Sequence, residues 1–197
     1  MDSSAVQVRR HRLEETLVVL VVAPLLGLGS AARFGSGWIA SLVAAFLVLC
    51  VMLSLLDLRW KIIPNAIVYP AFILFGGAVV ALWAAGEDVG LASAAWGFIG
   101  YGGALFLLAL LWPGAMGMGD VKLAALTGLV LGALGLGYVS VAAAAAIALG
   151  GLAAILLLLT GTGRKAKIPF GPYLAAGAIV SVFWSGAILD WYLRRPG

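Results

Sequence analysis

The chain has one cysteine and one histidine in 197 residues. A lone cysteine forms no internal disulfide and no thiolate metal site. Cys50 lies inside an apolar run and reads as a small packing residue. His11 lies in a basic N-terminal tail and reads as solvated. There is no His/Cys ligand spacing and no Ser–His pair, so neither a metal centre nor an activated serine or thiol is expected. No cofactor is expected either. Charge is also scarce. Asp, Glu, Lys and Arg make up 10% of the chain, and only 8 residues are acidic. No polar gap is long enough to hold an inserted soluble domain. No internal repeat is visible, so a transporter built from two similar halves gains no support.

Apolar residues are what the chain has in excess. They make up 64% of it, and the mean hydropathy is +1.15. A soluble domain of this size has no interior large enough for that much apolar surface. The expected class is therefore all-α, a polytopic membrane helical bundle with about seven transmembrane helices. The net charge of +4 points to nucleic acid only where basic residues gather on one polar face. Here they lie in short loops, which is a topology signal. Membrane lipid is the expected surroundings, and no nucleic acid is expected as a partner.

Residues 1–12 are polar and basic and read as a cytoplasmic tail, with a membrane-embedded unit over 13–197. Apolar segments run from about Leu13 to Ala32, with a kink expected at Pro24, and from Trp38 to Leu56. A third follows Pro64-Asn65 and reaches Ala85, and a fourth runs from Leu91 to Trp112. The last three run from Val121 to Leu134, Tyr138 to Thr160 and Tyr173 to Leu193. Each is near the ~20 residues a spanning helix needs. The fifth is the exception and has room to extend into its flanking glycines. The first segment also fits the outline of a secretory signal. Against that, Glu14 and Glu15 interrupt its flank, and the later spans need it for their orientation. With the N-terminus inside, nine basic residues (Arg9, Arg10, Arg12, Arg59, Lys61, Lys122, Arg164, Lys165, Lys167) face the cytoplasm and three (Arg33, Arg194, Arg195) face outward. The positive-inside rule selects this orientation. Gly128 and Gly132, one helical turn apart, suit close helix packing.

The topology brings two carboxylates to one face. Asp57 closes the second segment and Asp120 opens the fifth, within Gly114-Ala-Met-Gly117-Met-Gly119-Asp120-Val-Lys122. A carboxylate at mid-membrane costs about 2.5 to 3.5 kcal/mol on insertion scales, and less near an interface. The glycines permit unusual backbone conformations and close approach. Two carboxylates held close together share a proton. The charged one takes a proton from water while the protonated one polarises a scissile carbonyl. The same residues also read as a tight loop, with Asp120 capping its helix and each aspartate paired with a neighbouring base (Arg59, Lys61 or Lys122).

At these residues the chain resembles the type IV prepilin peptidases. Asp57-Leu-Arg-Trp-Lys-Ile-Ile-Pro64-Asn65 resembles their first aspartate motif. Gly117-Met-Gly119-Asp120-Val-Lys122 resembles their GxGD motif, and Ile168-Pro169-Phe170-Gly171-Pro172 resembles a third. The three occur in the family's order and cover the chain from about Trp38 onward. The resemblance implies a membrane aspartic endopeptidase of the bacterial inner membrane. It would cleave the leader of a prepilin or pseudopilin substrate at the cytoplasmic face. Asp57 and Asp120 match the catalytic aspartates. Gly117 and Gly119 would shape the loop that holds Asp120. Lys122 matches a family position and also reads as an inside anchor. Pro64, Asn65, Pro169, Phe170, Gly171 and Pro172 read as positioning elements that fix where helices begin.

Many bacterial members add a cytoplasmic domain with paired CxxC motifs that methylates the product. With one cysteine, this chain is expected to be a peptidase without the methyltransferase. Presenilin-like proteases also use GxGD, but they carry a Pro-Ala-Leu motif that is absent here. A non-enzymatic proton-coupled subunit would place its carboxylates near mid-membrane. The substrate, the pathway and the oligomeric state stay open at this level.

Overall fold

The computed structural model of the chain describes residues 21–35, 37–112, 116–160 and 169–193. They fold into helices joined by short connections, with no strand among the described residues. Helix α1 is described over Val21–Phe34 and continues through Pro24. It is followed by α2 (Trp38–Trp60), α3 (Asn65–Ala84), α4 (Leu91–Gly97), a π-helical segment (Phe98–Gly102) and α5 (Gly103–Leu111). The chain then forms α6 (Met118–Leu134), α7 (Leu136–Leu159) and α8 (Gly171–Leu193). α4, the π-helical segment and α5 form one helical path. Among the described residues, that path and α2, α3, α7 and α8 are the five stretches long and apolar enough to cross a membrane.

Within the described residues, every apolar segment expected from the sequence has a helix in its place, but two helix ends differ in a way that matters. α2 continues past Leu56, so Asp57 lies inside its last turn rather than beyond it. It stops at Lys61, which adopts the left-handed conformation (φ 52°) and donates its backbone N–H to the Asp57 carbonyl at 2.8 Å. α6 starts three residues earlier than hydropathy suggests, so Asp120 is the third residue of the helix. Hydropathy locates apolar runs, whereas a helix continues until a cap ends its hydrogen-bond ladder. α6 has 17 residues and is ~26 Å long at 1.5 Å per residue. That is shorter than the ~30 Å hydrocarbon core of a bilayer.

This short helix is the centre of the bundle. Leu123, Leu126, Val130 and Leu131 are fully buried, and α6 packs against α2, α3, α4, the π-helical segment, α5, α7 and α8. The tightest crossing is with α4, where Gly97 and Gly128 face each other. A Cβ added to either would collide with the other's carbonyl oxygen, and one at Gly132 would lie 2.6 Å from the Ser93 carbonyl oxygen. Lipid tails are as apolar as leucine, so helices in a bilayer associate through such close packing. The outward faces carry exposed Ile73, Leu107, Leu111, Ile155 and Leu159, as expected where the solvent is lipid.

The connections sort the helix ends into two groups. At one end the Gly90 N–H donates to the Ala133 carbonyl at 2.8 Å, and the rings of Phe34 and Tyr138 meet at 6.4 Å. At the other end the C-terminus of α2 meets the N-termini of α3, α6 and α8. Both aspartates are there.

Candidate active site

Asp57 and Asp120 are 5% and 7% exposed and are the buried charged residues among those described. The Asp57 side chain meets the start of α8. Its Oδ2 accepts the Gly171 N–H at 3.1 Å. Gly171 is the first residue of a 23-residue helix, whose N-terminus carries a partial positive charge and favours an anion. The fit is close. A Cβ at Gly171 would lie 2.7 Å from Asp57 Oδ2 and 3.2 Å from Asp57 Cβ. Ser54, one turn earlier on α2, donates its hydroxyl to the Cys50 carbonyl at 2.7 Å and lies 3.3 Å from the Gly171 carbonyl oxygen.

Asp120 is held by its own helix. Its Oδ2 accepts the Gly117 N–H at 3.3 Å, the return half of a capping box. The helix-cap reading of Asp120 holds in part: the N-cap is Gly117, and Asp120 contributes from the third helical position, which is compatible with a functional role. The adjacent glycines act by close approach. Gly117 has φ −79°, open to any residue, and Gly119 is helical. A Cβ at Gly119 would lie 2.8 Å from Ile63 Cβ, so its absence seats the first turn of α6 directly on the α2–α3 connection. That connection begins four residues after Asp57. The expectation that these glycines serve unusual dihedrals is corrected here at Gly117 and Gly119, while Gly114 lies outside the described residues.

The supporting residues separate into distinct roles. Pro64 is the N-cap of α3, and Pro172 lies in the first turn of α8. Both are positions where a missing N–H costs little. Asn65 begins α3, and its Oδ1 accepts from Lys122 Nζ at 2.7 Å. Lys122 also donates to the Tyr69 hydroxyl at 3.0 Å. Phe170 packs over Gly150 of α7 and beside the Tyr173 ring at 5.9 Å, so it ties the start of α8 to α7. Pro169 immediately precedes it. Arg59 lies over the Trp60 ring at 5.0 Å. Ile168, Arg164, Lys165, Lys167, Arg194, Arg195, His11 and the rest of the N-terminal tail lie outside the described residues.

Three contributors were not singled out from sequence. Tyr69 follows Asn65 by four residues on a helix, a spacing that does signal a shared face. Ser54 precedes Asp57 by three on α2, which is a weaker signal. Nothing local marks Ile63 as the seat of Gly119. Among the described residues no three His, Cys, Asp or Glu side chains gather as a metal site.

Residues 44–189 match the Type IV leader peptidase family. The chain is also similar to proteins named prepilin leader peptidase/N-methyltransferase. It is 31% identical to that of Bacillus subtilis over 88% of this chain and 68% of the relative. For Xanthomonas campestris the identity is 31% over 91% of this chain and 62% of the relative. For Aeromonas hydrophila it is 33% over 91% and 61%. The chain thus spans roughly three-fifths to two-thirds of the length of these relatives. No solved structure matches it. The ordered motifs, the helical membrane bundle and the matched span agree, and the chain belongs to the type IV leader peptidase family.

Proposed function

We propose that this chain is a membrane aspartic endopeptidase that removes the leader from prepilin or pseudopilin substrates, with Asp57 and Asp120 as its catalytic pair. The observation that carries this reading is the placement of two buried carboxylates at one end of the bundle. One is fastened to the start of α8 and the other to the start of α6, each through a backbone N–H. The ionised member of the pair takes a proton from a water molecule, whose oxygen attacks the scissile carbonyl. The protonated member donates to the carbonyl oxygen as the tetrahedral intermediate forms. Collapse breaks the C–N bond: the leaving amine takes a proton from one aspartate, a hydroxyl of the intermediate gives its proton to the other as the carbonyl re-forms, and the dyad returns to its one-proton state.

With the N-terminus inside, the end that holds both aspartates faces the cytoplasm of a bacterial inner-membrane protein, and seven helices cross or enter the bilayer. Arg59 and Lys61 on that face support the assignment. Methyl transfer, which the relatives' names also record, is not part of this proposal.

The test is cleavage of a prepilin in proteoliposomes by wild type, Asp57→Asn and Asp120→Asn. Each substitution preserves volume while removing the titration. Each is expected to lower cleavage by about 10²- to 10⁴-fold, with unchanged protein level in the membrane. Wild-type processing by either variant sinks the mechanism.

A further inference from the structure

Asp120 and Lys122 leave α6 on different sides. Residues two apart on an α-helix are separated by ~200° around the axis, so Lys122 lies nearly across the helix from Asp120. There its ammonium meets Asn65 Oδ1 at 2.7 Å, the Tyr69 hydroxyl at 3.0 Å and the Tyr69 ring centroid at 4.7 Å. Asn65 and Tyr69 are four apart on α3 and share one face of it. The three groups join the start of α6 to the start of α3, beside the contact of Gly119 with Ile63. A lysine serving only as an anchor would extend toward water and headgroups. This one has protein acceptors for two of its three donors.

We propose that Asn65, Tyr69 and Lys122 form a clamp that fixes the orientation of the first turn of α6 and so aims the Asp120 carboxylate. They are positioning residues, and the proposal rests on the two-aspartate reading above. Buried side chains and the Gly97–Gly128 crossing hold α6 from Val121 onward. Its first turn has less to hold it, because Gly117 and Gly119 offer no side chains to interlock. A rotation of ~10° moves a carboxyl ~6 Å from the axis by about 1 Å. A displacement of that size costs about 10²-fold in rate. Fixing this turn from the side opposite Asp120 removes this freedom without occupying the carboxylate face.

The experiment measures prepilin cleavage by the full chain in proteoliposomes for Lys122→Met, Lys122→Arg, Asn65→Ala, Tyr69→Phe and the double variant Asn65→Ala/Lys122→Met. Asp57→Asn runs alongside, and thermal unfolding of each variant is recorded in detergent. Lys122→Met is expected to lower kcat about 30- to 100-fold with KM within about twofold. Lys122→Arg should recover part of that loss, and Tyr69→Phe, which keeps the ring, should lose only about three- to tenfold. The double variant should be no worse than Lys122→Met alone, because both changes remove one linkage. Unchanged kcat in Lys122→Met and Tyr69→Phe would overturn the clamp. So would a raised KM with unchanged kcat, which would make Lys122 a substrate contact, or losses that multiply in the double variant. If Asp57→Asn is inactive while the clamp variants keep their kcat, only the clamp fails. If Asp57→Asn cleaves normally, the two-aspartate reading fails and the clamp falls with it.

Discussion

α6 meets its neighbours through missing side chains at two levels, and the two contacts serve different ends. In the C-terminal half of the helix, Gly128 and Gly132 face Gly97 and the backbone of α4. The atoms that a Cβ would strike there are backbone carbonyls inside regular helices, which have nowhere to move. At the N-terminal end, Gly119 rests on the Ile63 side chain, and the neighbouring Gly171 of α8 rests on the Asp57 carboxylate. Here an added methyl would displace a side chain, and in one case that side chain is a catalytic candidate. The same property, absence of a Cβ, holds the bundle together at one level and sets the geometry of the site at the other.

The comparison can be broken by three substitutions of Gly by Ala. Gly128→Ala carries the largest effect. Helices α4 and α6 must separate to admit the methyl, at a cost of about 3 kcal/mol or more. The expected result is poor recovery of folded protein from membranes and a clearly lowered unfolding temperature in detergent. Gly171→Ala comes next. It is expected to unfold within a few degrees of wild type yet lose about 10²-fold in prepilin cleavage, because Asp57 is pushed by roughly the distance that such losses require. A Gly171→Ala protein with normal activity would show that the α8 contact does not set the carboxylate's position. Gly151→Ala should have the smallest effect. A Cβ there meets nothing within 4 Å, so cleavage should stay within about twofold. Stability should hold or rise by up to ~1 kcal/mol from the loss of backbone freedom in the unfolded chain. A large loss in Gly151→Ala would reveal a contact made by a partner or lipid.

The two levels were unequally legible in the sequence. Gly128 and Gly132, one turn apart in an apolar segment, suggest a packed face without any structure. Gly119 and Gly171 could be associated with function only through the motifs around them. Gly117 and Gly119 suggest backbone freedom and close approach; both adopt dihedrals open to other residues, so close approach is the reason that holds. Their neighbours Ile63 and Asp120 explain them. Lys122 reads equally well as a topology anchor or as a motif residue. Only its distances to Asn65 and Tyr69 show that it joins two helices.

What the sequence determined by itself was everything that depends on composition and on neighbours along the chain. Apolar runs marked the helices, the scarcity of charge made the class a membrane bundle, and the shortage of Cys and His pointed to the carboxylates as the candidates for hydrolytic chemistry. Counting spans then brought Asp57 and Asp120 to one face. The tertiary structure decided which atoms meet there: the Gly171 N–H at Asp57, Ile63 under Gly119, and Asn65 and Tyr69 around Lys122. Such contacts join residues far apart in the chain, and they depend on the distance and rotation of whole helices. Those are fixed by packing summed over the entire bundle, and no local stretch of sequence encodes them.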